Sequence, residues 1–217
     1  NMAAAKAGSW WEYNGQRALA NNSAVYEHKP SMEVFMAEWK SLYDSKSGER
    51  GIFSRAAAQR VAAKNGRRDS EADFGTNPCS EIILKPFEFC NLTEVIVREN
   101  DTIEDLIAKV EIATILGTIQ STFTRFKYLR KQWQKNCEDE RLLGVSLTGQ
   151  LGHSILNGSR GLDKTAELLN MMRERAVEVN KEWAAHLGIN PSAAITCVKP
   201  SGTVSQLVNC SSGMHPW

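Results

Sequence analysis

The sequence lacks the features that mark membrane, secreted and nucleic-acid-binding proteins. No apolar run approaches the roughly 20 residues that a membrane-spanning helix needs, and the N-terminus has no basic segment followed by an apolar one. The net charge is only +1 over 217 residues, which gives no electrostatic reason to expect a nucleic acid or an anionic membrane as partner. We therefore expect a cytoplasmic protein with neither nucleic acid nor membrane among its partners.

Cysteine and histidine are scarce, and their spacing argues against two common kinds of site. The five cysteines are an odd number without a Cys-x-x-Cys pair, so neither a secreted disulfide framework nor a zinc knuckle is expected. The four histidines are scattered, with no carboxylate or cysteine at ligand spacing, so no metal ion held by protein ligands is expected. The cysteines are Cys79, Cys90, Cys137, Cys197 and Cys210.

Apolar residues at three- and four-residue spacing predict several helices. Ser31 and Asp163 are the expected N-caps of the first and last of these, and Gly48 and Gly188 are expected to end them. The first helix should turn its apolar side to the core. The predicted helices cover residues 31–48, 54–66, from Asp101 or Thr102 to Ile119 with a broken continuation toward Trp133, and 163–188.

Branched apolar residues predict short strands between these helices. The expected strands are Glu81–Leu84, Thr93–Val97 and Ala193–Val198, and Pro86 prevents the first two from forming one paired strand. The glycine-containing stretch Leu142–Leu151 is interpreted as close packing or a tight turn. Strands that alternate with long helices predict an α/β protein with mostly parallel strands.

Three chemically different side chains lie within five residues. Asn77, Cys79 and Glu81 stand at i, i+2 and i+4, so in extended backbone all three would leave on one face, where one small substrate could meet an amide, a thiol and a carboxylate. Alone, Glu81 is more often a solvated strand residue and Asn77 a turn residue or helix cap. Only the joint spacing favours a catalytic function.

This stretch resembles the active-site finger of the catalytic chain of ribonucleotide reductases. The similarity lies in Asn77-Pro78-Cys79-Ser80-Glu81-Ile82 and Phe89-Cys90-Asn91-Leu92. The short spacing from Cys79 to Cys90, with Lys199-Pro200-Ser201-Gly202-Thr203-Val204-Ser205, is closest to the monomeric, adenosylcobalamin-dependent class II ribonucleoside-triphosphate reductases. Further similar strings are Gly8-Ser9-Trp10-Trp11, Arg17-Ala18-Leu19-Ala20-Asn21-Asn22-Ser23 and Gly48-Glu49-Arg50-Gly51-Ile52-Phe53.

The resemblance implies a fold that the pattern of elements alone does not. Residues 1–217 would form part of a ten-stranded α/β barrel, with a central finger loop at about 75–92 and a phosphate-binding turn at about 199–206. A complete reductase is several times longer than this chain. Both ends, Asn1-Met2 and Trp217, look cut, so a fragment or a split-gene piece is expected.

The resemblance also implies the roles of the finger residues. Cys79 would carry a thiyl radical, generated with adenosylcobalamin, that takes the 3′ hydrogen of a ribonucleoside triphosphate. Glu81 would accept the 3′-hydroxyl proton and Asn77 would hold the substrate hydroxyls. Cys90 would be a reducing thiol whose disulfide, formed with a cysteine upstream of this stretch, is reopened by a thioredoxin-type reductant.

The turn near the C-terminus is expected to hold the substrate phosphates. A turn between a strand and a helix start can point several backbone N–H groups at an anion, although a Pro-Ser-Gly sequence is also an ordinary turn. The residues that the resemblance assigns to it are Ser201, Gly202, Thr203, Val204 and Ser205.

Two alternatives remain open from the sequence, and three cysteines have no assigned role. The same chemistry could start from a partner subunit's radical, as in class I reductases. The isolated chain could be inactive until it joins the remaining segments of the reductase polypeptide. Cys137, Cys197 and Cys210 match neither thiol role by local motif and are expected to be small buried hydrophobes.

Overall fold

The computed structural model describes residues 5–19, 21–46, 50–64 and 66–216. Outside these ranges lie several residues named in the sequence patterns: Asn1, Met2, Ala20, Gly48, Glu49 and Trp217. The chain divides into two compact units, residues 1–86 and 87–217. The expectation that residues 1–217 are one piece of a single barrel stays a prediction.

The first unit combines short helices with two small sheets. Strands β1 and β2 pair in parallel, from Ser23 with Gly51 to Tyr26 with Ser54, and β3 and β4 form an antiparallel hairpin. A small core of Phe53, Ala58, Ala62 and Phe74 lies under them. The elements are α1 Trp10–Tyr13, a 3-10 helix Gly15–Leu19, β1 Ser23–Tyr26, α2 Met32–Ser45, β2 Gly51–Ser54, α3 Arg55–Ala63, β3 Gly75–Thr76 and β4 Ile83–Leu84.

Serine caps start both longer helices of the first unit. The Ser31 hydroxyl accepts a hydrogen bond from the Val34 N–H at 3.3 Å, which confirms the predicted start of α2, and Ser54 caps α3 in the same way. The prediction that α2 turns its apolar side to the core is wrong, because the helix has no buried residue and Trp39 on its apolar stripe is 53% exposed. The stripe has the spacing of a buried face, but the described residues of this unit leave most of it exposed.

The second unit has a larger core between two long helices and a sheet. The parallel strands β5 and β6 pair from Leu92 with Gly144 to Ile96 with Thr148. The buried core residues are Val95, Val97, Leu106, Val110, Ala113, Leu143, Val145, Leu156, Leu168, Met172, Ala176 and Ile195. The elements are β5 Leu92–Ile96, α4 Ile103–Gln120, α5 Lys131–Glu140, β6 Gly144–Thr148, a 3-10 helix Gln150–Gly152, α6 Leu162–Leu187 and α7 Val204–Leu207.

A buried polar network ties α4 to α6. The Asn180 amide, fully buried, donates to the Thr118 hydroxyl at 3.0 Å and to the Ser192 hydroxyl at 2.9 Å, while its oxygen accepts the Ser192 N–H at 2.9 Å. Satisfied polar groups of this kind fix the relative position of buried elements. The network therefore holds the segment after α6 against the core.

Two of the helix-end predictions in this unit are confirmed and one is wrong. Thr102 and Asp105 form a reciprocal capping box at the start of α4, and Gly188 (φ 67°) ends α6 in the left-handed region that glycine favours. Asp163 is not a cap, because α6 starts one residue earlier behind Gly161 and no side chain caps it. Asp163 lies instead in the first turn, where the positive end of the helix dipole stabilises a carboxylate.

The glycine-containing stretch after α5 forms a strand rather than a turn. Gly144 begins β6, and a Cβ atom there would lie 2.5 Å from the Leu92 side chain and 3.0 Å from the Cys197 sulfur. The predicted close packing is therefore confirmed, but the strand that it permits was missed. The predicted strand Ala193–Val198 reduces to one parallel bridge between Val145 and Thr196, and Val198 is exposed.

The architecture is mixed α/β, as predicted. The described strands form three two-stranded sheets, of which two are parallel, and no closed sheet occurs among the described residues. Across the described ranges, no helix has the length and apolar character needed to cross a membrane.

Candidate active site

The Asn77 segment is the loop of the β3–β4 hairpin. Asn77 N–H donates to the Ile82 carbonyl at 3.2 Å, continuing the ladder beyond Thr76 and Ile83. The Asn77 carbonyl accepts the Ser80 N–H at 3.0 Å, so the Ile82 N–H bonds instead to the Asn77 side-chain oxygen, at 3.0 Å. Asn77 thus closes the loop Pro78–Glu81 with both its backbone and its amide.

The same amide positions the carboxylate of the site. Asn77 Nδ2 donates to Glu81 Oε1 at 2.6 Å. Asn77 is 6% exposed, whereas Cys79 lies between the two residues in the exposed turn. Ser80 adopts φ 65°, the left-handed conformation that lets the turn close. The hairpin therefore presents the thiol outward beside a fixed amide–carboxylate pair.

The expectation of extended backbone through this segment is wrong. Pro78 and Cys79 lie in a turn, so alternation of side chains along a strand does not apply to them. Asn77 and Glu81 meet because the turn folds the chain back on itself. The sequence predicted which residues gather here but not the geometry that gathers them.

Cys90 lies in the second unit, at the edge of a cavity of about 380 Å³. The cavity is lined by Phe89, Cys90, Asn91, Gln120, Ser121, Phe123, Thr124, Phe126, Cys137, Arg141 and Leu142. The Phe89 ring packs against the rings of Phe126 and Trp133, with centroids 5.1 and 4.5 Å away. Cys90 itself is exposed.

Cys137 is a thiol of this cavity that the sequence did not assign. It is half-buried on α5, and burial raises the pKa of its thiol, opposed by a hydrogen bond from the Phe89 N–H and by the charge of Arg141. No local motif marks Cys137. Its place near Cys90 follows only from the packing of α5, which a single sequence does not reveal.

The predicted phosphate-binding turn has an internal hydrogen-bond acceptor. The backbone N–H groups of Ser201 and Gly202 both donate to the Ser212 hydroxyl, at 3.1 and 3.2 Å. Two adjacent N–H groups that converge on one oxygen have the geometry that binds an anion. Ser205 is buried and donates its hydroxyl to the Gly202 carbonyl at 2.9 Å, so it shapes the turn from inside.

Thr203 and Val204 form the start of the short helix α7, and no side-chain cap bonds to it. The phosphate-binding role of the turn stays a prediction. Ser212, which contacts the turn, is a residue that the sequence pattern did not indicate. In the part of the chain that the structure describes, no group of three or more His, Cys, Asp or Glu side chains is placed to hold a metal ion.

Comparison with curated proteins points to one kind of enzyme, although no family model matches the chain. The adenosylcobalamin-dependent ribonucleoside-triphosphate reductase of Levilactobacillus brevis is 31% identical over 92% of this chain and 29% of its own length. The enzyme of the same name from Lactobacillus acidophilus is 33% identical over 65% of this chain and 22% of its own length. The chain is homologous to one segment of these reductases.

Solved structures agree on the fold. The crystal structure of a B12-dependent, class II ribonucleotide reductase matches 95% of this chain and 32% of its own, with a TM-score of 0.67 and 21% identity. The Actinobacillus ureae class Id ribonucleotide reductase alpha subunit matches 91% of this chain and 44% of its own, with a TM-score of 0.63 and 16% identity. The chain therefore has the fold of part of a ribonucleotide reductase catalytic chain and spans less than a third of the curated reductases named here.

Proposed function

We propose that this chain is the central catalytic segment of an adenosylcobalamin-dependent ribonucleoside-triphosphate reductase. The complete enzyme would convert ribonucleoside triphosphates to 2′-deoxyribonucleoside triphosphates. The observation that carries the proposal is the hairpin turn that sets the exposed Cys79 beside the hydrogen-bonded pair of Asn77 and Glu81. Sequence identity of 33% and 31% to two enzymes of that name, over 65% and 92% of this chain, supports the proposal.

Cys79 has the properties that the difficult step requires. Hydroxide leaves an unactivated 2′ carbon poorly, and a radical at the 3′ carbon eases that loss. A Cys79 thiyl would form its S–H bond as the C3′–H bond breaks, and would later return the same hydrogen. Because the two bonds are of comparable strength, the transfer is reversible. The exposed turn leaves the sulfur accessible to a ribose.

Glu81 and Asn77 would act on the hydroxyl groups of the same ribose. The Glu81 carboxylate would take the 3′-hydroxyl proton, a general-base role that requires hydrogen-bond reach. Asn77 Nδ2 carries two hydrogens, and one of them holds Glu81 Oε1 in place. The second is then the group that would bind a substrate hydroxyl, while the Asn77 oxygen stays bonded to the Ile82 N–H.

The cofactor would lie on the open side of the hairpin turn. When bound, adenosylcobalamin supplies the radical by homolysis of its cobalt–carbon bond. Cys79 is the residue of this chain that would face it, and an exposed thiol at the tip of a turn fits that task.

Reduction of the substrate radical needs two electrons from thiols. Cys90 would supply one thiol and an upstream cysteine in the remaining reductase segments the other, leaving a disulfide for a thioredoxin-type reductant. Reopening that disulfide requires a reducing compartment, which is why we place the enzyme in the cytoplasm. The remaining segments would also complete the ten-stranded barrel around the finger loop, with the Ser201 turn on the substrate phosphates.

A class I type of radical supply is the second candidate, because the class Id alpha subunit has a similar fold. The two mechanisms differ in what they need. The full-length reductase, expressed with the native flanking sequence, should reduce ribonucleoside triphosphates only when adenosylcobalamin is added. Turnover without corrin, or turnover that needs a second metal-containing subunit, would reject the proposed class.

The 217-residue chain alone is expected to be inactive. Among the described residues, the apolar stripe of α2 is largely exposed and the β1–β2 sheet has no third strand, which favours self-association or dependence on the missing segments. Sedimentation of the purified chain tests this expectation. A stable monomer that unfolds cooperatively at high temperature would contradict it.

A further inference from the structure

Two of the five cysteines line the same cavity of the second unit. Cys90 is exposed at its mouth and Cys137 is half-buried on α5. Within the described residues no other cysteine lines it. A thiol that is accessible and a second thiol beside it are the two components that reversible disulfide formation requires.

A hydrogen bond places the Cys137 sulfur beside the chain segment that carries Cys90. The Phe89 backbone N–H donates to the Cys137 sulfur, and Phe89 directly precedes Cys90. The N–H group that touches the Cys137 sulfur therefore belongs to the residue directly before Cys90. Consecutive Cα atoms are about 3.8 Å apart. A disulfide requires Cα atoms roughly 4.4–6.8 Å apart, so oxidation tests whether Cys90 and Cys137 reach that separation.

Contacts hold the chain on both sides of Cys90. The Phe89 ring is held between Phe126 and Trp133. On the other side of Cys90, Asn91 donates its amide to the Gly117 carbonyl at 2.9 Å and accepts the Gly144 N–H at 2.8 Å.

We propose that Cys90 and Cys137 form a reversible disulfide when the protein meets a low-molecular-weight disulfide. Cys90, the exposed thiol, attacks first and releases one small thiol, leaving a mixed disulfide. The Cys137 thiolate then attacks the Cys90 sulfur and releases the second small thiol. One S–S bond is broken and one is formed overall, and the two electrons and two protons of the protein thiols leave with the small thiols.

The consequence for catalysis rests on the proposed function. If Cys90 is the reducing thiol, the disulfide withdraws it from the reaction until a dithiol reopens the bond. Because burial raises the pKa of the Cys137 thiol, its attack on the mixed disulfide should be the slower step and should accelerate as the pH rises. The pair would then act as a redox switch in the second unit.

The test uses the complete 217-residue chain and oxidised glutathione. After incubation, remaining thiols are alkylated and the digest is analysed by mass spectrometry without reduction. The expected product is a peptide containing Cys90 linked to Cys137 within one chain, which disappears after dithiothreitol. Glutathione that stays on Cys90, or a Cys90–Cys79 bond as the main product, would overturn the proposal.

Variants separate the two steps. Cys137→Ser should trap glutathione on Cys90, whereas Cys197→Ser, a matched change at another half-buried cysteine outside the cavity, should leave the Cys90–Cys137 bond intact. If Cys137→Ser fails to fold, the wild-type map still decides the question. The assay contains no nucleotide and no corrin, so its failure would reject the disulfide without affecting the proposed reductase activity.

Discussion

Asn77 donates its amide to Glu81 across the turn that carries Cys79, with 2.6 Å between Nδ2 and Oε1. Because the same side chain also accepts the Ile82 N–H, one buried residue both closes the hairpin and fixes the carboxylate. The hairpin and the proposed catalytic role of Glu81 therefore depend on the same amide. Substitutions at this pair can separate the two roles.

Asn77→Asp should destabilise the hairpin and lower activity together. The change replaces the donor to Glu81 by an oxygen, so two acceptors face each other, at a cost of about 1–3 kcal/mol for a buried unsatisfied contact. Hydrogen exchange of the peptide that spans Phe74 to Leu84 should become faster. Denaturant unfolding of the same protein gives the free energy.

The double variant Asn77→Asp with Glu81→Gln is the matched control. It reverses donor and acceptor, so the exchange rate of the hairpin should return toward that of the wild type. Turnover of the full-length reductase should stay reduced by roughly 10²–10⁴-fold, because the proposed general base is absent. Recovery of activity along with stability would show that Glu81 serves the fold only.

The two assigned thiols should fail at different steps. Cys79→Ser in the full-length reductase should abolish exchange of the 3′ hydrogen while nucleotide binding changes less than about threefold, since a hydroxyl replaces a thiol on an exposed turn. Cys90→Ser should retain that exchange and lose multiple turnovers. Isotope release from 3′-labelled substrate and product per enzyme measure the two steps.

Cys197→Ser is the reference for both thiol variants, because no role in the reaction is assigned to it. Multiple turnovers by Cys79→Ser or by Cys90→Ser would show that the corresponding thiol is not the one that reacts. Loss of nucleotide binding in either variant would indicate a structural defect instead.

Ser212→Ala should strengthen binding of the substrate phosphates. The Ser212 hydroxyl occupies the N–H groups of Ser201 and Gly202, so a phosphate must displace it before it can bind there. Removing that competitor leaves the two donors to the ligand, which corresponds to about 0.5–1.5 kcal/mol, or roughly two- to tenfold tighter binding. Isothermal titration with a ribonucleoside triphosphate gives the dissociation constant.

Ser211→Ala is the control for the Ser212 variant. Ser211 is its buried neighbour, and its hydroxyl makes no hydrogen bond to any described residue. The control should leave the dissociation constant unchanged. Equal affinities for wild type, Ser211→Ala and Ser212→Ala would mean that the turn does not hold the phosphates.

Local chemistry explains what could be predicted from this sequence. The caps Ser31 and Thr102 act within three residues of their own positions, so the sequence alone reveals them. The glycines of Leu142–Leu151 predict close packing or a tight turn but do not reveal the strand, because the neighbours that require glycine at Gly144 are Leu92 and Cys197, which are distant in sequence. Sequence patterns therefore predict helix starts well, whereas they miss contacts that only tertiary packing creates.

The candidate site shows the same division. Asn77, Cys79 and Glu81 were identified together because they lie within five residues, but their geometry depends on the Ser80 turn and not on a strand. Cys137 and Ser212 contribute to the predicted sites only through folding. The stripe of α2 had a helical period that predicts burial, yet burial needs a partner surface that periodicity does not specify.

The start of α4 should show a measurable pH dependence. Hydrogen bonds from the Thr102 backbone and side chain, with the charge of Lys109, hold the pKa of Asp105 below its ordinary value. A carboxyl whose pKa is lower in the folded state adds stability above its unfolded pKa and loses that stability as the pH falls toward the folded pKa. Acid should therefore weaken this capping box.

Asp105→Asn tests this dependence, because asparagine keeps an acceptor for the cap but carries no charge. The melting temperature of the wild type should exceed that of Asp105→Asn at pH 7, and the two should converge as the pH falls below about 4, near the ordinary pKa of an aspartate. Glu104→Gln removes a neighbouring acid that takes no part in the capping box, so its difference from the wild type should vary less over this range. A gap between wild type and Asp105→Asn that stays constant from pH 7 to pH 3 would show that the ionised carboxylate does not stabilise α4.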